Sequence, residues 1–76
     1  MKYQHKITKI VVQAEKFTEE KQIQLIHETQ LVFGQVKKDQ YLLSFFNEKG
    51  EVVNQQIINK EQFLEQYEPK VELLLG

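Results

Sequence analysis

The stretch from Gln40 to Ile58 constrains this chain more than any other. Two apolar arms flank Asn47-Glu48-Lys49-Gly50, which has the form of a type I turn followed by a glycine in the left-handed region. Gln40 to Phe46 and Glu51 to Ile58 therefore predict a β-hairpin with a bulge at Gly50. The first arm, Tyr41-Leu42-Leu43-Ser44-Phe45-Phe46, is apolar on both faces. That is the pattern of an internal strand covered on two sides.

The rest of the chain is read outward from this hairpin. Residues 6–14 are β-branched and partly alternating, which predicts a strand with both faces partly covered or with a bulge near Lys9. Thr18 to about Gln30 predicts a helix: Thr18 as N-cap, Glu19 and Glu20 in the first turn, Ile23 and Ile26 on the buried face. Leu31 to Lys37 predicts a strand, with Gly34 marking a bulge or a close approach of another backbone. Asn59 starts a second helix. Asn59 and Gln62 fit a capping box, while Ile58 and Phe63 fit a hydrophobic staple. Pro69 ends it, and Val71 to Leu75 forms a last strand or a docked tail. The predicted order is β-α-β-β-β-α-β. This is an α+β fold, a three-strand antiparallel meander with terminal strands added and two helices.

Composition narrows the chemistry. Seventy-six residues, with no linker or internal repeat, form one small domain over 1–76. There is no cysteine, so disulfides, thiolate metal sites and cysteine nucleophiles are excluded. No apolar run approaches the roughly 20 residues of a membrane-spanning helix. The first residues carry no signal-like apolar core, so the expected location is the cytoplasm of a cell or an infected host. All ten basic residues are lysines, and the net charge is −1. Without arginine there is no planar fork for guanine edges or phosphates. Residues 1–38 hold seven lysines and four acids, whereas 39–76 hold three and seven. Either the two halves fold against each other, or the first presents a basic face to a partner.

No catalytic constellation emerges. His5 and His27 cannot alone complete a zinc site. Ser44 is the sole serine, sits in an apolar strand and lacks a G-x-S-x-G elbow. Glu61 and Glu65 read as a solvated acidic face, and three scattered glycines make no phosphate cradle. No enzyme activity, cofactor or metal is expected. Two binding surfaces remain. Lys2, Tyr3, Lys6, Lys37 and Lys38 are the candidate contacts for single-stranded nucleic acid or RNA, with Tyr3 as a stacking platform. Tyr41, Leu43, Phe45, Leu73 and Leu75 are the candidate self-association surface, because two short helices cannot cover both faces of a sheet.

Three segments taken together carry a resemblance. Val12-Gln13-Ala14-Glu15-Lys16-Phe17-Thr18 is similar to a V-x-A-x-x-W/F-T opening. Asp39-Gln40-Tyr41-Leu42-Leu43 is similar to a G-D-Y/W-I/L-I/V strand. Phe63-Leu64-Glu65-Gln66-Tyr67-Glu68-Pro69 is similar to a closing F-x-x-x-Y-E-P. In this order they resemble small phage and prophage proteins of the PGDYG type, with Lys37-Lys38 standing where that family has Pro-Gly. The resemblance implies a phage-associated accessory protein and supplies no catalytic residue. The expected function is non-enzymatic. The protein would bind another protein, as an inhibitor of a host or defence factor or as a homodimeric accessory. The alternative is a nucleic-acid-binding module using the N-terminal lysines.

Overall fold

The computed structural model describes residues 2–70. Among them are seven strands and one short helix. They are β1 (Lys2–His5), β2 (Val11–Lys16), β3 (Lys21–His27), β4 (Gln30–Val36), β5 (Tyr41–Phe46), β6 (Val52–Ile58), α1 (Lys60–Gln66) and β7 (Tyr67–Pro69). Five strands form one antiparallel sheet in the order β6-β5-β2-β1-β7. β3 and β4 form a separate two-stranded ribbon.

The hairpin expected from Gln40 to Ile58 is present as β5 and β6. Gly50 has φ 81°. The register shift in the hairpin lies farther along, between Phe45 and Phe46, where Val53 is the extra residue of β6. The Gly50 N–H donates to the Asn47 carbonyl at 3.0 Å, closing the turn. The Asn47 side-chain oxygen accepts from the N–H groups of Lys49 and Glu51 at 2.9 and 3.0 Å. Leu42 and Leu43 are both buried and belong to different core clusters, so β5 is covered on both faces.

The α+β assignment is corrected to a mostly β fold. The segment read as a helix from Thr18 to Gln30 is a strand, β3, followed by a turn. Gln22-Ile23-Gln24-Leu25 alternates polar and apolar with a period of two, which suits a strand as the spacing of Ile23 and Ile26 suits a helix, and pairing with β4 selects the strand. Glu28 and Thr29 both have positive φ, 49° and 68°, and make the two-residue mirror-image turn that suits a right-twisted hairpin. The three-strand meander is corrected as well. β4 pairs with β3 along all seven residues and does not join β5. The strand expected over 6–14 starts only at Val11, as β2, and a separate strand, β1, precedes it at Lys2–His5. They are joined by a turn in which Lys9 has φ 63° and its N–H donates to the His5 carbonyl at 2.9 Å. The tail from Val71, with Leu73 and Leu75, lies outside the described residues.

Each face of the five-stranded sheet has its own cover. On one side α1 inserts Phe63, which is 2% exposed, against Val12 and Leu43. Tyr41 stacks on the Phe63 ring at 4.0 Å, Tyr67 lies parallel to it at 5.8 Å, and Tyr3 meets it edge-on at 4.8 Å. The helix is held at both ends. The Asn59 side chain accepts from the Gln62 N–H at 2.8 Å, which is the expected cap. At the other end the Lys6 ammonium donates to the Leu64 carbonyl at 2.9 Å, placing a cation at the negative end of the helix.

On the other side the β3–β4 ribbon folds over Leu42 and Ile57. Phe17, Leu25 and Val36 form the buried cluster with Leu42, and Ile23 and Ile57 pack against it. The base of the ribbon is pinned where β2 and β5 meet. Phe17 N–H donates to Gln40 O at 3.0 Å, and Asp39 N–H donates to Phe17 O at 2.8 Å. Its tip is tied to β6 by Thr29 N–H on Val53 O at 3.3 Å. At Gly34 there is neither a bulge nor a neighbouring backbone; the close approach is made by side chains. A Cβ there would stand 2.5 Å from Leu25 Cδ2 and 3.2 Å from Ile57 Cδ1.

The two glycines make contrasting predictions. Gly50→Ala meets no atom within 4 Å but must hold φ 81°, so it loses roughly 1–2 kcal/mol through the backbone alone. Gly34→Ala forces Leu25 out of its seat and loses about 1–3 kcal/mol by overpacking. Urea titrations check both. Gly34→Val is worse than Gly34→Ala, whereas Gly50→Val resembles Gly50→Ala. The turn gives a second test. The double variant Glu28→Asn, Thr29→Gly suits a mirror-image turn, so it stabilises by about 1 kcal/mol. In a helix the introduced glycine would destabilise by a similar amount, so the sign of the change in melting temperature separates the two folds.

Candidate functional site

The residues with catalytic potential are engaged in structure. His5 Nδ1 accepts from the N–H groups of Ile7 and Thr8 at 3.2 and 3.3 Å, and its ring meets Tyr67 edge-on at 5.2 Å. It is a turn-forming residue. His27 lies exposed at the end of β3 instead of on a helix stripe. The Ser44 hydroxyl accepts from Gln55 Nε2 at 3.0 Å, on the sheet face toward the ribbon. Burial pushes the Tyr67 phenol above its ordinary value, which keeps it neutral. Among the described residues no group of three histidine or carboxylate side chains could hold a metal ion. No helix among them is long and apolar enough to cross a membrane.

The five candidate nucleic-acid contacts are not gathered on one surface. Gln4 pairs with Val11, so Lys6 lies beyond the Val11 end of β2. Tyr41 pairs with Lys16, so Lys37 and Lys38 lie at the opposite end. The length of β2, about 17 Å, separates them. Lys2 stands between, opposite Gln13. Lys6 is committed to the helix C-terminus, and Tyr3 turns its ring onto Phe63. Near Lys37 and Lys38, Asp39 pairs with Lys16 at 3.8 Å.

The candidate self-association residues lie under α1. Leu43 is fully buried, and Tyr41 and Phe45 pack against the cluster it forms with Val12 and Phe63. Phe63 of α1 covers this face and the ribbon covers the other, so the Leu43 face is not left open. The tail residues of that set are outside the described residues.

A different surface stands open. Leu31 and Phe33 are 70% and 69% exposed, two residues apart on β4. They share the outer face of the ribbon with Ile26, which pairs with Leu31. Gln22, Gln24 and Gln35 surround them on the same face. An open depression of about 380 Å³ lies between Gln22, Phe33, Gly34 and Gln35. The backbone edge beside them is also unpaired. In a two-residue hairpin the residues flanking the turn form the hydrogen-bonded pair, here His27 and Gln30. Val32, Gly34 and Val36 follow in phase, so they bond to β3. Leu31, Phe33 and Gln35 direct their N–H and C=O groups away from it. The same phase on β3 directs the Ile26 N–H outward, where the Gln55 side-chain oxygen takes it at 2.9 Å. The outer edge of β3 is thus engaged by β6 at its turn end, and no such contact reaches the outer edge of β4.

Gln30-Leu31-Val32-Phe33-Gly34-Gln35-Val36 holds no charge and no proline. It lacks the lysines, prolines and bulges by which edge strands are usually blunted. Sequence reasoning found the strand and missed its role, because it placed the open apolar surface on Tyr41, Leu43 and Phe45 and the tail. The uncharged run of seven residues was the available signal. The chain matches no family model, no curated protein and no solved structure.

Leu31 and Phe33 do little for stability, since both are mostly in solvent. At low micromolar concentration Leu31→Thr and Phe33→Thr shift unfolding by within about 0.5 kcal/mol. Phe63→Ala costs about 3–5 kcal/mol. Chemical denaturation of the three variants checks the contrast. A Phe33→Thr loss as large as that of Phe63→Ala would place Phe33 in the core.

Proposed function

We propose that this is a non-enzymatic accessory protein that acts by binding protein, through strand addition at β4. The observation that carries the reading is the coincidence of two features on one strand. Leu31 and Phe33 offer an apolar face, and the same residues offer unpaired backbone groups at the adjacent edge. Main-chain hydrogen bonds would supply affinity, and the two side chains would supply selectivity for what lies across. The resemblance of three segments to small phage and prophage proteins supports a role in an infected cell, with a host or viral protein as target. A nucleic-acid role has less support, because the lysines it needs lie at opposite ends of β2.

The test is selection from a random-peptide library on the immobilised protein, at concentrations where the chain is monomeric. Enriched peptides are expected to be extended, apolar at alternate positions and free of charge. Phe33→Lys, whose fold is verified by circular dichroism, should release them. Enrichment that ignores Phe33→Lys, or no enrichment at all, would count against the reading.

A further inference from the structure

Resting on that reading, we infer that the occupant of the β4 edge is a second copy of this chain. Two copies pair antiparallel about a two-fold axis through Phe33, giving a four-stranded sheet in the order β3-β4-β4-β3.

Three observations lead to this partner. The first is phase. Only Leu31, Phe33 and Gln35 direct backbone groups outward, as the pairing with β3 requires. Antiparallel pairing of β4 with itself must therefore match members of that set. Centring on Phe33 uses all three on each copy. Phe33 meets Phe33 of the second copy, and each Leu31 meets Gln35. Centring on Leu31 or Gln35 leaves part of each edge without a partner.

The second is charge. β4 carries none, so a two-fold axis through it opposes no like charges within the strand. The flanks are complementary. Glu28 lies in the turn before β4, whereas Lys37 and Lys38 follow it and Lys21 sits opposite Val36. Antiparallel pairing about Phe33 brings the Glu28 end of one copy level with the Lys38 end of the other. A shared parallel direction would set lysine beside lysine.

The third is closure. The outer edge of β3 is engaged with β6, through Gln55 on the Ile26 N–H and Val53 on the Thr29 N–H. Nothing comparable engages β4, and a two-fold pairing uses the β4 edge of both copies, so addition there stops at two copies. Pairing also sets the two Phe33 rings side by side across the new strand boundary, as a cross-strand aromatic pair.

The chain has no cysteine, so single introduced thiols report the register cleanly. Side chains directly opposite in a hydrogen-bonded pair have Cβ atoms about 5.5 Å apart, too far for a direct disulfide and within reach of a one-carbon bis-methanethiosulfonate crosslinker. With that reagent an equimolar mixture of Leu31→Cys and Gln35→Cys is expected to give the mixed crosslink, while either alone stays uncrosslinked. Phe33 is intact in both. Sedimentation equilibrium from micromolar to millimolar concentration is expected to approach twice the 9.1 kDa chain mass. Phe33→Lys, which sets two ammonium groups on the axis, should weaken association at least about tenfold. A single 9.1 kDa species throughout overturns the inference. If library peptides still bind β4, the strand-addition reading stands and its partner is another protein. If they do not, both fail. Crosslinking of Leu31→Cys alone overturns the register.

Discussion

The seat of Leu25 decides what this molecule shows to solvent. Leu25 is buried with Phe17, Val36 and Leu42, and it lies directly over Gly34 with Ile57 beside it. Side chains on a strand alternate between two faces, so fixing Leu25 inward fixes every other residue of the ribbon. Ile23, Val32, Gly34 and Val36 go inward with it, and Ile26, Leu31 and Phe33 must go outward. The exposed apolar face is thus a consequence of core packing. It could be removed only by changing residue types, and they remain leucine and phenylalanine. The absence of a side chain at Gly34 is what lets the ribbon lie this close, and the closeness lets β6 engage the outer edge of β3 at its turn end.

The other face of the sheet works differently. There a single helix of seven residues suffices, because Phe63 is surrounded by Tyr3, Tyr41 and Tyr67. Aromatic rings bury large areas with few rotatable bonds, which suits a chain too short for a second helical layer. The helix itself is too short to be stable alone and depends on tertiary packing and its two end contacts. The lysine spent on one of them, Lys6, is therefore tied into the fold and not held free on the surface.

The parts of the fold legible in the sequence were those with local turn and cap chemistry. Asn47 to Gly50 announced β5 and β6, and Asn59 with Gln62 announced α1, because each motif satisfies its hydrogen bonds within a few residues. The ribbon was not legible for the same reason in reverse. Glu28-Thr29 carries none of the Asn or Gly residues that mark a mirror-image turn, yet it adopts one. Ile23, Leu25 and Ile26 fit both a helix and a strand. Tertiary pairing with β4 decided between them, and pairing partners are not written in local sequence. The candidate site went the same way. Tyr41, Leu43 and Phe45 form an apolar face, but whether that face is covered depends on where α1 docks. Leu31 and Phe33 are no more apolar than they are, and differ only in having nothing above them.

Amide hydrogen exchange, read residue by residue along 21–36 at rising protein concentration, tests this account most directly. In a β3–β4 ribbon with one open edge, the amides of Val32, Gly34 and Val36 are protected at every concentration. Those of Leu31, Phe33 and Gln35 exchange rapidly in dilute solution and become protected as the concentration rises. Continuous protection from residue 21 to residue 30 would indicate a helix and contradict the fold. Protection of Leu31, Phe33 and Gln35 that is already complete in the dilute monomer would mean that the β4 edge is occupied within one chain, and the binding surface inferred from it would not exist.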